Sequence, residues 1–129
     1  MDNSLKSRMA EFLDPEQVTE LRSIPSDGGL DLFSDVVGLF LRTTPELLEK
    51  IEQALQAGNL ETVSKQAHML KGSSSNLGAF RFSEKSHRLE QGALKGQADL
   101  EILFDEISKD FEDLRILLDE VVKSPLDSE

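Results

Sequence analysis

The chain has no cysteine among its 129 residues, and seven phenylalanines are its only aromatic side chains. Without thiols it can build neither a disulfide framework nor a thiolate metal site, and a reducing compartment is permitted. Cations are scarce as well. Fourteen lysines and arginines face 25 aspartates and glutamates, a formal charge of −11. A nucleic-acid surface needs clustered cations, so that class of partner is not expected. The apolar run near Val36 breaks at Gly38 before Leu39, Phe40 and Leu41, far short of the roughly 20 residues that span a bilayer. Met1-Asp2-Asn3-Ser4 lacks the basic-then-apolar order of a signal peptide. The expectation is a cytoplasmic protein with no membrane partner.

Strict apolar–polar alternation is also missing, which leaves helices. Leu5, Met9 and Phe12 space a short first helix. Asp14-Pro15-Glu16 is a start signal for a second, with a cap residue followed by proline at the first helical position. Val18 and Leu21 form its apolar side before Pro25-Ser26-Asp27-Gly28-Gly29 breaks the chain. Leu30, Phe33, Val36, Val37, Phe40 and Leu41 continue into Leu47, Leu48, Ile51 and Leu55. Pro45 interrupts that pattern, because it removes a donor and crowds the carbonyl of Leu41. The segment is either one helix kinked at Pro45 or two helices with Thr44 as the second cap, and the first is favoured.

Gly58 stops that segment and Asn59 caps the next helix, whose stripe is Leu60, Val63, Ala67, Leu70, Ser74 and Leu77. Gly78 stops this one. Phe82, Ser86, Leu89 and Ala93 mark a further helix. After Gly96 come Leu100, Phe104, Ile107, Phe111, Leu114, Leu118 and Val121, the spacing of a helix packed nearly antiparallel in a bundle. The sequence thus predicts an all-α protein, an up-down-up-down four-helix bundle with one or two short N-terminal helices. Residues 1–13 read as an N-terminal helix or extension, 14–123 as the bundle and 124–129 as an acidic tail.

The functional signal is His68-Met69-Leu70-Lys71-Gly72-Ser73-Ser74-Ser75-Asn76-Leu77-Gly78-Ala79. His68 falls one residue past Ala67, about 100° round the helix at the margin of the buried stripe. Small or basic neighbours (Ser64, Lys65, Lys71, Gly72 and Ser75) surround it. A neutral imidazole with an ordinary pKa of about 6.5 is a competent nucleophile at neutral pH. A lysine one turn away can stabilise an anion attached to it. Glycine inside a helix costs roughly 1 kcal/mol relative to alanine, so Gly72 suggests a close approach from outside. Together they favour phosphoryl chemistry. Singly, each has an ordinary reading as part of a solvated helix face.

This stretch resembles the signature of histidine-containing phosphotransfer (HPt) domains, roughly His-x-Leu-Lys-Gly-(Ser/Ala)-(Ser/Ala)-x-x-Leu-Gly. The resemblance runs from about Asp14 to Val122 and takes in Leu39-Phe40-Leu41, Thr44-Pro45-Glu46, Ala57-Gly58-Asn59 and Leu89-Glu90. It implies that His68 accepts a phosphoryl group, that Lys71 stabilises it and that Gly72 leaves clearance for a partner. It also implies response-regulator receiver domains as partners, with a hybrid histidine kinase as a further one. The chain itself would be a monomeric phosphocarrier, not an enzyme, with Mg²⁺ and the reacting aspartate supplied by the partner. No cofactor or metal is expected within it. Some family members carry a glutamine near the histidine on the following helix. Glu90 stands at that offset here, and no second phosphoryl-binding side chain is assigned.

Residues 64–88 hold Lys65, Lys71, Arg81, Lys85 and Arg88 against Glu84 alone, a local +4 on an acidic chain. Such a patch would steer an acidic pocket towards His68, with Lys65, Ser75, Lys85 and Arg88 as docking residues. Glu84 and His87 have the i, i+3 spacing of a di-iron bundle, but such sites need two pairs and further glutamates. Gly72 to Gly78 lacks the Gly-Lys-Ser/Thr ending of a phosphate-binding loop. Two alternatives remain open. One is the phosphoacceptor module of a chemotaxis-type histidine kinase, and the other a helical binding module whose histidine is chemically silent.

Overall fold

A computed structural model describes residues 2–27 and 30–124. Every regular element among them is a helix: α1 (Asn3–Phe12), α2 (Pro15–Arg22), α3 (Leu32–Ala57), α4 (Leu60–Asn76), α5 (Phe80–Leu94) and α6 (Leu100–Lys123). Local chemistry sets their ends. Asp2, Asp14, Asp31 and Asn59 each accept a first-turn backbone N–H on a side-chain oxygen, at 2.7, 3.1, 2.8 and 3.1 Å, which satisfies one of the donors a helix start leaves free. Gly58 and Gly78 take left-handed backbone at φ 70° and 84° just beyond α3 and α4, a conformation in which any Cβ is strained.

The turns after α3 and α4 are so short that the chain must reverse, and α3 to α6 stand antiparallel in sequence order. α3 packs on α4, α4 on α5, α5 on α6 and α6 back on α3, a closed four-helix bundle. Its centre is a triad of rings from three helices. Phe40 meets Phe82 and Phe111 at centroid distances of 5.6 and 5.8 Å in edge-on geometry, worth about 1 kcal/mol per pair beyond the apolar area removed from water. The stripes read from the sequence on α4, α5 and α6 are buried, apart from a half-buried Leu60. Leu5, Met9, Leu13 and Val18, from α1, the α1–α2 junction and α2, join the same core.

As favoured, the helix does not divide at Pro45. α3 is a single helix through that residue, and Thr44 is not a cap but a fully buried member of the stripe Phe33, Val37, Phe40, Thr44, Leu47, Ile51 and Ala54. An interior proline costs about 3 kcal/mol, and burial on both sides of Pro45 outweighs it. Leu30 is not part of that stripe. It precedes the cap Asp31 and lies exposed, because the helix begins only after the cap. The acidic tail beyond Ser124 lies outside the described residues.

Candidate functional site

α4 and α5 form a helical hairpin about the Gly78 turn, and the site follows from its register. His68 meets Glu90, Lys71 meets His87 and Ser75 meets Ser83. These pairs stand eleven, eight and four residues to either side of Ala79. Each member sits at the margin of a buried stripe, so closing the hairpin brings the two margins together.

The imidazole of His68 is 64% exposed, and its Nδ1 lies 2.9 Å from Glu90 Oε2. A carboxylate only accepts, so Nδ1 carries the proton and donates it. In the neutral ring that leaves the lone pair on Nε2, the nitrogen not engaged by Glu90. The other oxygen of Glu90 is 3.3 Å from the Lys71 ammonium and 3.5 Å from His87 Nδ1. Lys71 Nζ and His87 Nδ1 are themselves 3.5 Å apart. With its side chain only 12% exposed, Glu90 would have its pKa raised by burial, but Lys71 and His68 outweigh that and hold it below the ordinary 4.5. An ionised carboxylate thus ties His68, Lys71 and His87 into one cluster.

Gly72 lies one turn beyond His68, exposed, and a Cβ built on it would meet nothing within 4 Å. No packing among the described residues calls for a glycine there. Ser75 and Ser83 share a hydroxyl hydrogen bond of 2.6 Å. Beside them a cleft of about 520 Å³ opens, with Lys71, His87, Phe80 and Gln17 in its wall. Gln17 reaches from α2 to the end of α4, donating to the carbonyls of Ser75 and Asn76 at 2.7 and 3.1 Å.

The expected basic patch does not hold together as one surface. Lys65 is exposed and paired with Glu61 one turn earlier at 3.1 Å. Arg88 is exposed and has no ion pair among the described residues. Lys85 departs from its expected docking role. Its side chain is only 19% exposed, and its ammonium is 2.9 Å from the buried Asp110 of α6. Arg81 joins the same carboxylate at 3.4 Å and lies over the Phe12 ring. Their spacing on α5 turns both towards α6, away from His68. Sequence reasoning gave no role to Glu90 and left His87 outside the site. The signal was present in the hairpin count about Ala79.

The fold and the site define a helical bundle that displays a histidine on one face, with a lysine and a carboxylate beside it. Residues 35–124 match the model of the Hpt domain, and the chain belongs to that family. It is 38% identical over 73 residues to histidine-containing phosphotransfer protein 2 of Arabidopsis thaliana, a match covering 54% of this chain and 46% of that protein. The chain thus spans about half the length of that relative. Histidine-containing phosphotransfer protein 4 of the same plant is 27% identical over 93 residues, covering 70% of this chain and 72% of that protein. The crystal structure of histidine-containing phosphotransfer protein B (HptB) from Pseudomonas aeruginosa PAO1 superposes with a TM-score of 0.78 at 28% identity, covering 86% of this chain and 94% of that one. MtHPt2 from Medicago truncatula also gives 0.78, at 22% identity, covering 95% and 90%, and shows the shared fold.

Proposed function

We propose that this protein is a phosphocarrier of a two-component relay, taking a phosphoryl group from a receiver-domain aspartyl phosphate onto His68 Nε2 and passing it to a second receiver. The observation that carries this reading is the His68–Glu90 contact, which fixes the tautomer and leaves an exposed ring nitrogen with its lone pair. In the forward step that lone pair forms the N–P bond while the P–O bond to the aspartate breaks. The bonding electrons leave with the restored carboxylate. The ring becomes cationic, and Glu90 at Nδ1 stabilises the charge. Lys71 stands one helical turn away to neutralise phosphoryl oxygens. Gly72 keeps the approach open. Phosphoryl transfer depends on positioning and electrostatics, and Mg²⁺ and the reacting aspartate come with the partner. The receivers are the intended partners, and the chain acts as carrier, not enzyme. No helix among the described residues is long and apolar enough to cross a membrane, and a cytoplasmic monomer fits this role.

The test is transfer from a phosphorylated receiver to wild type, His68→Gln and His87→Gln. Label should reach wild type and His87→Gln, be acid-labile and base-stable, and be absent from His68→Gln. Label surviving in His68→Gln, or an acid-stable label, would overturn the assignment. Labelling only by an ATP-dependent kinase domain, never by a receiver, would favour the module of a chemotaxis-type kinase. No label from either source would leave a binding module.

A further inference from the structure

The face of the bundle opposite His68 carries a groove between α3 and α6 of about 570 Å³. Its floor is apolar, with Leu48, Phe104 and Phe111 in it, and its rim carries Glu49, Glu52 and Glu112. Arg115 also lines it, but its guanidinium is already bound to Glu112 at 2.9 and 3.2 Å, so the rim keeps an acidic excess. This belongs to a wider asymmetry: α6 alone carries eight carboxylates against three cations, whereas α4 and α5 together carry five lysines and arginines against three glutamates. Counting outward from the Gly58-Asn59 turn, Glu49 lies level with His68 on the antiparallel neighbour, so the groove sits behind the nucleophile at the same height.

We infer that this groove is a second docking surface, and that its occupant is a cationic amphipathic helix from a partner protein. A trough between two antiparallel helices takes a third by ridges-into-grooves packing. The lining spans Pro45 to Gln56 on α3, about 17 Å at the helical rise, enough for three turns. Leucine-like side chains on one face meet the part-buried Leu48, with the core rings of Phe104 and Phe111 beneath it. Lysines or arginines on the flanks meet Glu49 and Glu52, neither of which is in an ion pair among the described residues. Because the α4–α5 face is left free, a partner bound here and a partner at His68 occupy the protein together. The groove can therefore tether the carrier without stopping its chemistry.

The experiment uses the full chain and a fluorescent peptide of roughly 18 residues with leucines on one helical face and lysines on the other, beside a scrambled peptide of equal composition. The amphipathic peptide should bind wild type more tightly than the scrambled one. It should lose about tenfold in affinity for Glu49→Lys/Glu52→Lys and less than about twofold for Glu106→Lys/Asp113→Lys, an equal charge change at exposed α6 positions outside the groove. Binding needs no phosphorylation, so its outcome is independent of the carrier reading. Equal losses in both double variants, or equal binding of both peptides, would reduce the effect to net charge and overturn the inference. So would saturating peptide that halts labelling of His68, because it would then sit on the α4–α5 face. A wild-type chain that self-associates and excludes the peptide would assign the groove to a second copy, and also overturn it.

Discussion

Glu90 and Asp110 are two carboxylates that the bundle largely withdraws from water, and each faces two or three bases. Around Asp110, itself 6% exposed, Lys85 turns inward and is mostly buried, while the part-exposed Arg81 packs over Phe12. Three helices, α1, α5 and α6, are joined there. Around Glu90 the geometry is the reverse. Its principal partner His68 keeps most of its ring in water while one nitrogen is fixed. A buried acid that captures a buried lysine stabilises a fold. A buried acid that holds one end of an exposed base leaves the other end of that base open to solvent. The residue types at the two places are nearly alike, and exposure of the cationic partner separates the roles.

The largest expected break in this comparison is Asp110→Ala. It leaves the Lys85 ammonium in a low-dielectric site without its counter-charge, and stability should fall by about 3 kcal/mol. Melting and denaturant curves measure the loss, while transfer to His68 in the folded fraction should be unchanged. A variant that folds as well as wild type yet loses transfer would erase the distinction between the two carboxylates.

Lys71→Ala should do the opposite, leaving the melting temperature near wild type while slowing transfer or shortening the phosphohistidine lifetime by about tenfold, the loss of a charged hydrogen bond of ~1.5 kcal/mol. Loss of receiver affinity alone, with the transfer step intact, would make that lysine a docking charge.

Glu90→Gln sharpens the comparison through pH. The folded pKa of Glu90 is held below 4.5, so its contribution to stability is full above that value and fades as pH falls through the lower folded value. Stability curves of wild type and Glu90→Gln should therefore converge in that acid range and separate above it. The amide oxygen can still accept from Nδ1, so transfer should fall less in Glu90→Gln than in Glu90→Ala. Curves that stay parallel down to strong acid would show that the carboxylate is not held by its bases.

The smallest effect is at Gly72. Gly72→Ala should be neutral or stabilising by up to roughly 1 kcal/mol, and the empty space around its Cβ position means no clash opposes it. Gly72→Gln should melt normally but transfer slowly. Normal transfer in that variant would remove the clearance argument.

Much of the fold was legible because its signals are local. The caps Asp14 and Asn59, the stops Gly58 and Gly78 and the apolar stripes of α4, α5 and α6 depend only on neighbouring residues. Pro45 was ambiguous because a local penalty competes with burial of Thr44 and Leu47, which is decided only when α3 meets the bundle. The stretch containing His68, Lys71 and Gly72 was visible as a motif. Glu90 and His87 were not joined to it, because their relation to His68 and Lys71 exists only across the folded hairpin. Lys85 misled for a related reason: charge counted along the sequence does not say which way a helix turns it, and Asp110 lies 25 residues further on.

One contact at the end of the bundle bears on where this domain begins. The Asp14 amide donates to the Gly78 carbonyl at 2.8 Å, and Gln17 closes the last carbonyls of the histidine helix. The stretch that matches the family model starts at residue 35, whereas the packing starts at Leu5. A chain trimmed to the shared stretch would keep its signature and expose the end of the helix that bears it. The matched stretch and the mechanically complete bundle have different borders, and the N-terminal helices occupy the strip between them.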